Sequence, residues 1–342
     1  MIDEQTVAST RVGALTAIWE RALQRAPIGI HDSFFDLGGD PASANRLFGE
    51  IAQEYGRDLS PLTIYQAPTI AELAAVLEKP EPPRLKPCVR LKAGIESPPI
   101  FLVPGLGGSV MEFFQLVTHI ESRHPVFGTQ SRGMDGVDKP FERIEDLAQF
   151  FLDAIGELQP SGPYILIGYS LGGLVTLEMA QRLSKKGEKV ALLAMVESYP
   201  HATQLPFGQH ADIVGRRAQR FVSRIFRRAG FPSRFSSDGE ESLLDKPRMS
   251  EKWAVTIERA RRSAYLSWRR YRPRYYSGKI AFVRATEIDP LFPRDPNAVW
   301  ARLADEFVMN TIPGGHFGGL GANSKSLAAV LSRYLQETCL AK

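Results

Sequence analysis

The stretch Tyr164–Leu183, YILIGYSLGGLVTLEMAQRL, determines which kind of fold this chain can adopt. It opens with a short apolar run typical of a buried strand, and the residues after Ser170 have the spacing of a helix. Between the two, Gly168, Ser170 and Gly172 form the pattern G-x-S-x-G. At a strand-to-helix junction this pattern predicts a nucleophile elbow, in which small residues allow a tight turn that exposes the serine hydroxyl. Ser170 is therefore predicted to be a nucleophile.

Short apolar runs and helical patterns alternate on both sides of this elbow. The runs that predict strands read PIFLVPG, HPVFGTQ, VALLAMVES, GKIAFVRAT and EFVMNTIPG, and the helical patterns include IEDLAQFFLDAIGELQ and SKSLAAVLSRYLQET. Such alternation favours a mostly parallel sheet covered by helices on both faces. The sequence therefore predicts an α/β fold.

A serine nucleophile needs a base, and the base needs a third group that orients it. The chain order serine, acid, histidine points to His316, in the glycine-rich stretch TIPGGHFGG after the last strand. Two places compete for the acid. Glu197 ends the strand after the nucleophile helix, whereas Glu287 and Asp289 follow the next strand, and both strand ends can reach the histidine in an α/β fold.

The rest of the chain divides into smaller segments. At 342 residues the chain suits one small and one larger domain, given roughly 100 to 200 residues per domain. Residues 1–78 contain helical patterns such as VGALTAIWERAL and SANRLFGEIAQEYG. Residues 79–98 are rich in proline and predict a semi-rigid linker. Residues 99–342 hold the α/β pattern, with a helical insertion at about 201–275 that is predicted to form a lid.

Charge is divided unevenly along the chain, although the net charge is only +4. Residues 1–80 hold eleven Asp and Glu against six Lys and Arg, a net −5. Residues 211–275 hold seventeen Lys and Arg against seven acids, a net +10. No zinc-finger or RNP motif accompanies this basic segment, so no nucleic-acid partner is expected. A solvated helical face and a surface for an acidic protein or a phosphate-bearing substrate remain as alternatives.

Composition argues against several other classes. Hydrophobic residues make up 44% of the chain, and no apolar run approaches the roughly 20 residues of a membrane span. The opening MIDEQTVAST lacks the features of a secretory signal, so we expect no membrane association and a cytoplasmic location. The two cysteines, Cys88 and Cys339, are too few for a disulfide framework or a thiolate metal site, and no metal is expected.

From about Pro99 onward the chain resembles the type I thioesterase domains of nonribosomal peptide and polyketide synthases, an α/β-hydrolase family. The residues that carry the resemblance are FLVPGLGGSV, GYSLGGLVTLEMAQRL, MVESYP and GGHFGG. It implies an α/β-hydrolase fold and favours Glu197 as the acid, where the family usually has Asp; Asp289 is the alternative. The residue after the nucleophile, Leu171, is expected to supply one backbone N–H to an oxyanion hole. The resemblance implies that Leu106, in the turn VPGLGG, supplies the second.

Residues 1–78 resemble a peptidyl- or acyl-carrier domain. The resemblance rests on FFDLGGD followed by a helix, and on LTIYQAPTIAELA. In that family a serine follows G-G-D or G-G-H and receives phosphopantetheine, but here the position holds Pro41, which has no hydroxyl. Asp40 is predicted to cap the following helix with Pro41 at its first position. Ser43 is the alternative attachment point, although helix geometry turns it about 200° away. The sequence is compatible with natural loss of the arm or with an introduced substitution.

Together these resemblances predict a serine-dependent thioesterase that releases an acyl or peptidyl chain from a carrier-protein thioester, by hydrolysis or cyclisation, in secondary-metabolite biosynthesis. No phosphopantetheine is expected to be bound covalently here. The substrate is instead expected on the phosphopantetheine arm of another acyl- or peptidyl-carrier protein or synthase module. Two alternatives remain: a general ester or amide hydrolase, which needs no carrier-like unit, and a noncatalytic docking module.

Overall fold

The computed structural model describes residues 4–205, 208–215 and 251–340 of the chain. Its helices are α1 (Glu4–Leu23), α2 (Pro41–Tyr55), α3 (Ile70–Glu78), α4 (Phe114–His119), α5 (Ile144–Leu158), α6 (Leu171–Lys185), α7 (Glu251–Arg270), α8 (Asn297–Trp300) and α9 (Ser324–Leu340). Residues 208–215 are also helical. Single 3₁₀ turns span Pro61–Tyr65, Val110–Phe113 and Ala202–Gln204. The strands are β1 (Cys88–Lys92), β2 (Ile100–Val103), β3 (Val126–Thr129), β4 (Tyr164–Tyr169), β5 (Val190–Val196), β6 (Tyr276–Ala285) and β7 (Ala304–Ile312).

The strands form a seven-stranded sheet in the order β1-β3-β2-β4-β5-β6-β7. β1 runs antiparallel to β3, and the other neighbouring strands pair in parallel. The prediction of a mostly parallel α/β sheet is therefore confirmed. In the pairing of β4 with β5, Tyr169 lies opposite Val196. The residues that follow these two strands, Ser170 and Glu197, consequently start side by side at the carboxyl edge of the sheet.

Helices cover both faces of the sheet. On one face α5 and α6 pack against it with buried residues such as Phe151, Leu174 and Val175; on the other, α4 and α9 contribute Leu116 and Leu331. The central strand β4 is buried along its whole length. Burial on both faces explains why its sequence is a continuous apolar run rather than an alternation of apolar and polar residues.

The first unit is a small helical bundle. Its core includes Leu15 and Trp19 of α1 and Leu47 and Ile51 of α2, all fully buried at the predicted helical spacing. Phe34, from the stretch FFDLGGD, meets the Trp19 ring edge-on, with 5.5 Å between the ring centroids. The stretch that marks the carrier-like pattern therefore enters the core of this bundle.

The two units meet at a buried surface, here called the docking interface. At its centre Trp253 of α7, which is 4% exposed, donates its indole N–H to the Leu59 carbonyl oxygen at 2.8 Å. The first unit also contributes Leu62 and Tyr65 to a shared apolar cluster. The remaining side chains of this cluster are Leu85, Val89, Leu91, Val110, Met111, Met134, Ile257 and Ala260. The first unit therefore rests on α7 and on the 3₁₀ turn Val110–Phe113.

The structure differs from the sequence prediction within residues 79–98. This segment was expected to be a linker throughout, but Cys88–Lys92 forms the antiparallel edge strand β1. The strand, CVRLK, lies among prolines and is not a continuous apolar run like the predicted strands, so its surroundings favoured a linker.

The predicted lid segment is only partly described. Its second helical pattern is confirmed as α7, and its Trp268 donates its indole N–H to the Tyr199 carbonyl oxygen at 2.8 Å. The first pattern, at 213–230, lies outside the described residues beyond position 215. None of the helices that the structure describes combines the length and apolar composition needed to cross a membrane.

Candidate active site

Ser170 lies in the turn between β4 and α6, with backbone angles φ 53° and ψ −118°. An L-residue other than glycine rarely adopts such a positive φ, so this turn is strained. Close packing maintains it: a Cβ atom at Gly172 would lie 2.1 Å from the Val103 carbonyl oxygen, so only glycine fits there. The Ser170 N–H also bonds to the Val196 carbonyl oxygen at 2.8 Å. Strand and helix thereby join in one sharp turn at Ser170.

His316, in the loop after β7, contacts both Ser170 and Glu197. Its Nε2 lies 3.1 Å from Ser170 Oγ, and its Nδ1 lies 3.2 Å from Glu197 Oε2. His316 and Glu197 are 6% and 4% exposed. In this arrangement a neutral imidazole can accept the serine proton at Nε2 while a carboxylate holds its Nδ1–H.

The Glu197 carboxylate is held by donors on its other oxygen. Oε1 accepts the Ala285 N–H at 2.8 Å and the Tyr199 hydroxyl at 3.3 Å. The Glu197 backbone itself has a positive φ of 48°, and its N–H bonds to the Val283 carbonyl oxygen at 2.8 Å. Backbone conformation and neighbouring donors together accommodate a side chain one methylene longer than aspartate.

The alternative acids occupy the turn after β6. Asp289 Oδ1 accepts the Leu291 N–H at 2.8 Å, and the Asp289 carbonyl oxygen accepts the Phe292 N–H at 3.0 Å. Glu287 is exposed, and its N–H bonds to the Gly314 carbonyl oxygen. The carboxylate that meets His316 Nδ1 is that of Glu197. The geometry therefore favours Glu197 over Asp289.

Of the two residues expected to form an oxyanion hole, Leu171 directly follows Ser170, and Leu106 lies in a turn that passes beside it. Leu171 is the first residue of α6, and the first N–H groups of a helix have no acceptor within the helix. Leu106 lies in the glycine-rich turn at 105–108, which is closed by a 3.1 Å bond from the Gly108 N–H to the Gly105 carbonyl oxygen. A Cβ atom at Gly105 would lie 3.2 Å from Ser170 Cβ, so this turn passes directly beside the serine.

Two aromatic residues that no sequence motif indicates hold His316 in place. The Tyr169 hydroxyl donates to the His316 carbonyl oxygen at 2.7 Å, and their rings stack with centroids 5.4 Å apart. Burial, with smaller effects of Glu112 and Glu197, raises the pKa of Tyr169, which keeps this donor protonated. The Phe292 ring lies 4.6 Å from the imidazole. Tyr169 is a variable position of G-x-S-x-G and Phe292 lies in a loop, so neither carried a sequence signal.

The start of α2, where a carrier arm would be attached, offers no available hydroxyl. Asp40 caps this helix as predicted: its Oδ1 accepts the Ser43 N–H at 2.7 Å, and Ser43 Oγ accepts the Asp40 N–H at 2.8 Å. Pro41 is the first helical residue. Ser43 is 3% exposed, and its Oγ lies 2.6 Å from Asp40 Oδ1. The residues present here do not fit covalently attached phosphopantetheine.

The sequence pattern of the thioesterase domain family matches residues 98–336, more than half of the chain. The chain belongs to the thioesterase domain family. A second pattern, described as a phosphopantetheine attachment site, matches residues 13–77. This thioesterase therefore combines an α/β-hydrolase unit with a carrier-protein unit, as the two resemblances implied.

Related proteins are much longer than this thioesterase. Malpibaldin synthetase of Mortierella alpina is 32% identical over 276 residues, which cover 80% of this chain and 5% of that protein. The dimodular nonribosomal peptide synthase of Bacillus subtilis (strain 168) is 30% identical over 305 residues, which cover 83% of this chain and 12% of that protein. The chain thus spans a small part of the length of these relatives.

The fold of both units has a counterpart among solved structures. The crystal structure of holo-AB3403, a four-domain nonribosomal peptide synthetase bound to AMP and glycine, matches with a TM-score of 0.58 and 20% sequence identity. The match covers 94% of this chain and 26% of that one. Since it extends over almost the whole chain, the carrier-protein unit and the hydrolase unit are both included in the shared fold.

Proposed function

We propose that this thioesterase releases an acyl or peptidyl chain from a carrier-protein thioester, with Ser170 as nucleophile, His316 as general base and Glu197 as the residue that orients His316. The observation that carries the proposal is the continuous hydrogen-bonded path from Ser170 Oγ through His316 to Glu197, with distances of 3.1 and 3.2 Å. The similarity to the dimodular nonribosomal peptide synthase of Bacillus subtilis supports a substrate made by such a synthase. Another carrier protein or synthase module is the proposed partner.

In the first half of the reaction, Ser170 Oγ attacks the thioester carbonyl carbon and its proton passes to His316 Nε2. The backbone N–H groups of Leu106 and Leu171 stabilise the oxyanion that forms, and removal of one such donor commonly costs about 3 to 4 kcal/mol of transition-state stabilisation. The carbon–sulfur bond then breaks, and the leaving thiolate takes the proton from His316. The product of this half is an acyl ester on Ser170.

In the second half, an acceptor attacks the ester carbonyl carbon while His316 removes the acceptor's proton. Water as acceptor gives a free acid; an amine or hydroxyl of the same chain gives a macrocycle or lactone. In either case the proton returns from His316 to Ser170 Oγ as the ester bond breaks. Both outcomes use the same three residues, so the acceptor is identified by analysing the product.

The experiment measures thiol release from small acyl thioesters by the parent protein and by Ser170→Ala and His316→Ala. Each substitution should lower kcat by several orders of magnitude, because members of a triad act as a unit. Ser43→Ala is the matched control, since it removes a buried hydroxyl of the carrier-protein unit. Loss of less than about tenfold in either triad variant contradicts the mechanism.

The same assay distinguishes the alternatives. Equal turnover of oxoester, amide and thioester analogues would favour a general ester or amide hydrolase, since a thioesterase is expected to prefer the thioester. A parent protein without turnover on any of them would favour a noncatalytic docking module. Mass spectrometry of the products separates hydrolysis from cyclisation.

We also infer that the carrier-protein unit of this chain carries no arm, so the substrate arrives on a different carrier or as a free thioester. The inference rests on the absence of a hydroxyl at Pro41 and on the burial of Ser43 in its capping box. Incubation with a broad-specificity phosphopantetheinyl transferase and coenzyme A should leave the intact mass unchanged. Pro41→Ser is the positive control and should gain the mass of phosphopantetheine, because Ser at the first helical position supplies the missing hydroxyl. A mass gain in the parent protein contradicts the inference.

A further inference from the structure

Glu112 places a carboxyl group against the turn that passes Ser170, although it has no part in the proposed triad. It lies in the 3₁₀ turn Val110–Phe113, directly after the glycine-rich turn. Its Oε2 accepts the Gly105 N–H at 2.9 Å. Gly105 in turn lies against the serine, because a Cβ atom there would be 3.2 Å from Ser170 Cβ and 3.4 Å from Glu112 Oε2.

The second carboxylate oxygen, Oε1, fills the space beneath the same turn. The residue as a whole is partly exposed, but this oxygen is buried and has no hydrogen-bond partner among the described residues. A Cβ atom at Gly107 would lie 2.2 Å from Oε1, and the three atoms nearest to it all belong to Glu112. Gly107 therefore leaves room for this carboxyl group.

We propose that Glu112 is a positioning residue of the oxyanion hole, which holds the turn at 105–108 so that the Leu106 N–H faces the substrate carbonyl bound at Ser170. The acceptor on the Gly105 N–H fixes the residue before Leu106, and the carboxyl group beneath Gly107 fixes the residue after it. Oxyanion donors act through preorganisation, so an anchor on both sides of Leu106 contributes directly to kcat. The inference rests on the proposed function, since it assigns Leu106 to the oxyanion hole.

The protonation state of Glu112 gives this role a measurable pH dependence. Burial of the carboxyl group raises the pKa of Glu112 to about 7, against opposing effects of the Gly105 and Ser109 N–H groups and of Arg261. Among the described residues, Arg261 of α7 and Tyr169 of β4 interact electrostatically with this carboxyl group. Neutral Glu112 still accepts the Gly105 N–H, whereas ionised Glu112 adds a negative charge near a developing oxyanion and opposes it. We expect kcat of the parent to fall as pH rises through about 7.

The test compares Glu112→Gln and Glu112→Leu in the full chain, with a small uncharged acyl thioester as substrate. Leucine removes the acceptor at similar size, so kcat should fall roughly 10- to 100-fold while KM changes little. Glutamine keeps a neutral acceptor at every pH, so it should restore most of kcat and remove the decline above about pH 7. The rate at which a fluorophosphonate reacts with Ser170 is an independent measure of the same site.

A double-mutant cycle isolates the contact between Glu112 and Gly107. Gly107→Ala alone should lower kcat, because its Cβ displaces the carboxyl group. In the Glu112→Ala background the same change should cost much less, because the clashing atoms are absent, and this non-additivity is the signature of a direct contact. The cycle remains informative if Glu112→Leu folds poorly.

Glu178→Gln is the matched control for loss of a buried acid. Glu178 is 1% exposed and bonds to Tyr271, Arg182 and Arg274 in a separate network, so its loss should leave the decline of kcat with pH in place. Parental kcat in Glu112→Leu, a persistent decline in Glu112→Gln, or an additive cycle each overturns the proposal. A parent protein that neither turns over thioesters nor reacts with the fluorophosphonate overturns the proposed function instead.

Discussion

Each unit of this chain has a chemically decisive residue at the start of a helix: Pro41 is the first residue of α2, and Ser170 directly precedes α6. At Pro41 the start is relaxed: the preceding Asp40 is extended, and Asp40 and Ser43 satisfy each other's backbone N–H groups. At Ser170 the start is strained, with a positive φ and no side-chain cap. Strain of this kind costs of order 1 to 3 kcal/mol and persists only where the surroundings enforce it.

The difference explains why one unit can lose its reactive group at little structural cost. The α2 start is stabilised by Asp40 and Ser43, so residue 41 needs only to begin a helix, which proline does well. The α6 start depends on glycine at 172 and on close strand–helix packing, which together force residue 170 outward. The fold therefore does not require a hydroxyl-bearing residue at position 41. At position 170, by contrast, the backbone conformation itself exposes the side chain.

Removal of the acid of the hydrolase unit should have the largest effect on activity. Glu197→Gln should lower kcat for acyl thioesters by roughly 10²- to 10⁴-fold, because an amide no longer fixes the histidine tautomer. Asp289→Asn is the matched control and should cost far less, since the carboxylate that meets His316 Nδ1 is that of Glu197. Steady-state kinetics of the two variants measure this difference in kcat. A larger loss in Asp289→Asn than in Glu197→Gln would identify Asp289 as the acid.

Two glycine-to-alanine substitutions test whether the helix start at Ser170 is sterically constrained, through their effects on the free energy of unfolding. Gly172→Ala should destabilise the chain by about 3 kcal/mol or more, because its Cβ would lie 2.1 Å from a backbone oxygen and has no room to move. Gly13→Ala, in the exposed interior of α1 with no atom within 4 Å of the new Cβ, should stabilise it by about 0.5 to 1 kcal/mol. Chemical denaturation measures both. Equal changes in the free energy of unfolding would show that position 172 has room for a Cβ atom, against the geometry of the elbow.

The smallest expected effect concerns the helix cap of the carrier-protein unit. Ser43→Ala removes one half of the capping box and should cost about 1 kcal/mol in the free energy of unfolding. Turnover of acyl thioesters should be unchanged. Denaturation curves together with kinetics test this, and a loss of turnover at full stability would give the carrier-protein unit a role in the reaction.

Much of the fold was predictable because its signals are local. Each predicted strand of the parallel sheet is a short apolar run, and Asp40 precedes its helix in a recognisable cap pattern. The edge strand Cys88–Lys92 was missed because it lies among prolines and contains no continuous apolar run, and its place is set by pairing with β3. Local signals do not encode such pairing.

The site residues that a motif or chain order specifies could be predicted from the sequence, whereas those selected by three-dimensional packing could not. Ser170 and His316 follow from motif and order, but the sequence left Glu197 and Asp289 open, because both follow strands that end at the same sheet edge. The N–H of Ala285 and the hydroxyl of Tyr199, both directed at Glu197, distinguish them only in three dimensions. Glu112 gave one overlooked signal, a lone acid in the apolar stretch SVMEFF beside the glycine-rich turn.

The docking interface has a consequence for exchanging modules between synthases. Because the Trp253 indole bonds to the Leu59 carbonyl and the shared apolar cluster includes Val110, a recombinant that replaces the carrier-protein unit also replaces the surface that contacts α7 and the 3₁₀ turn containing Glu112. A fusion boundary placed within the linker would leave Trp253 facing a foreign surface. Grafts of this thioesterase should therefore keep residues 59–65 with it, so that the two units move between synthases as one cassette.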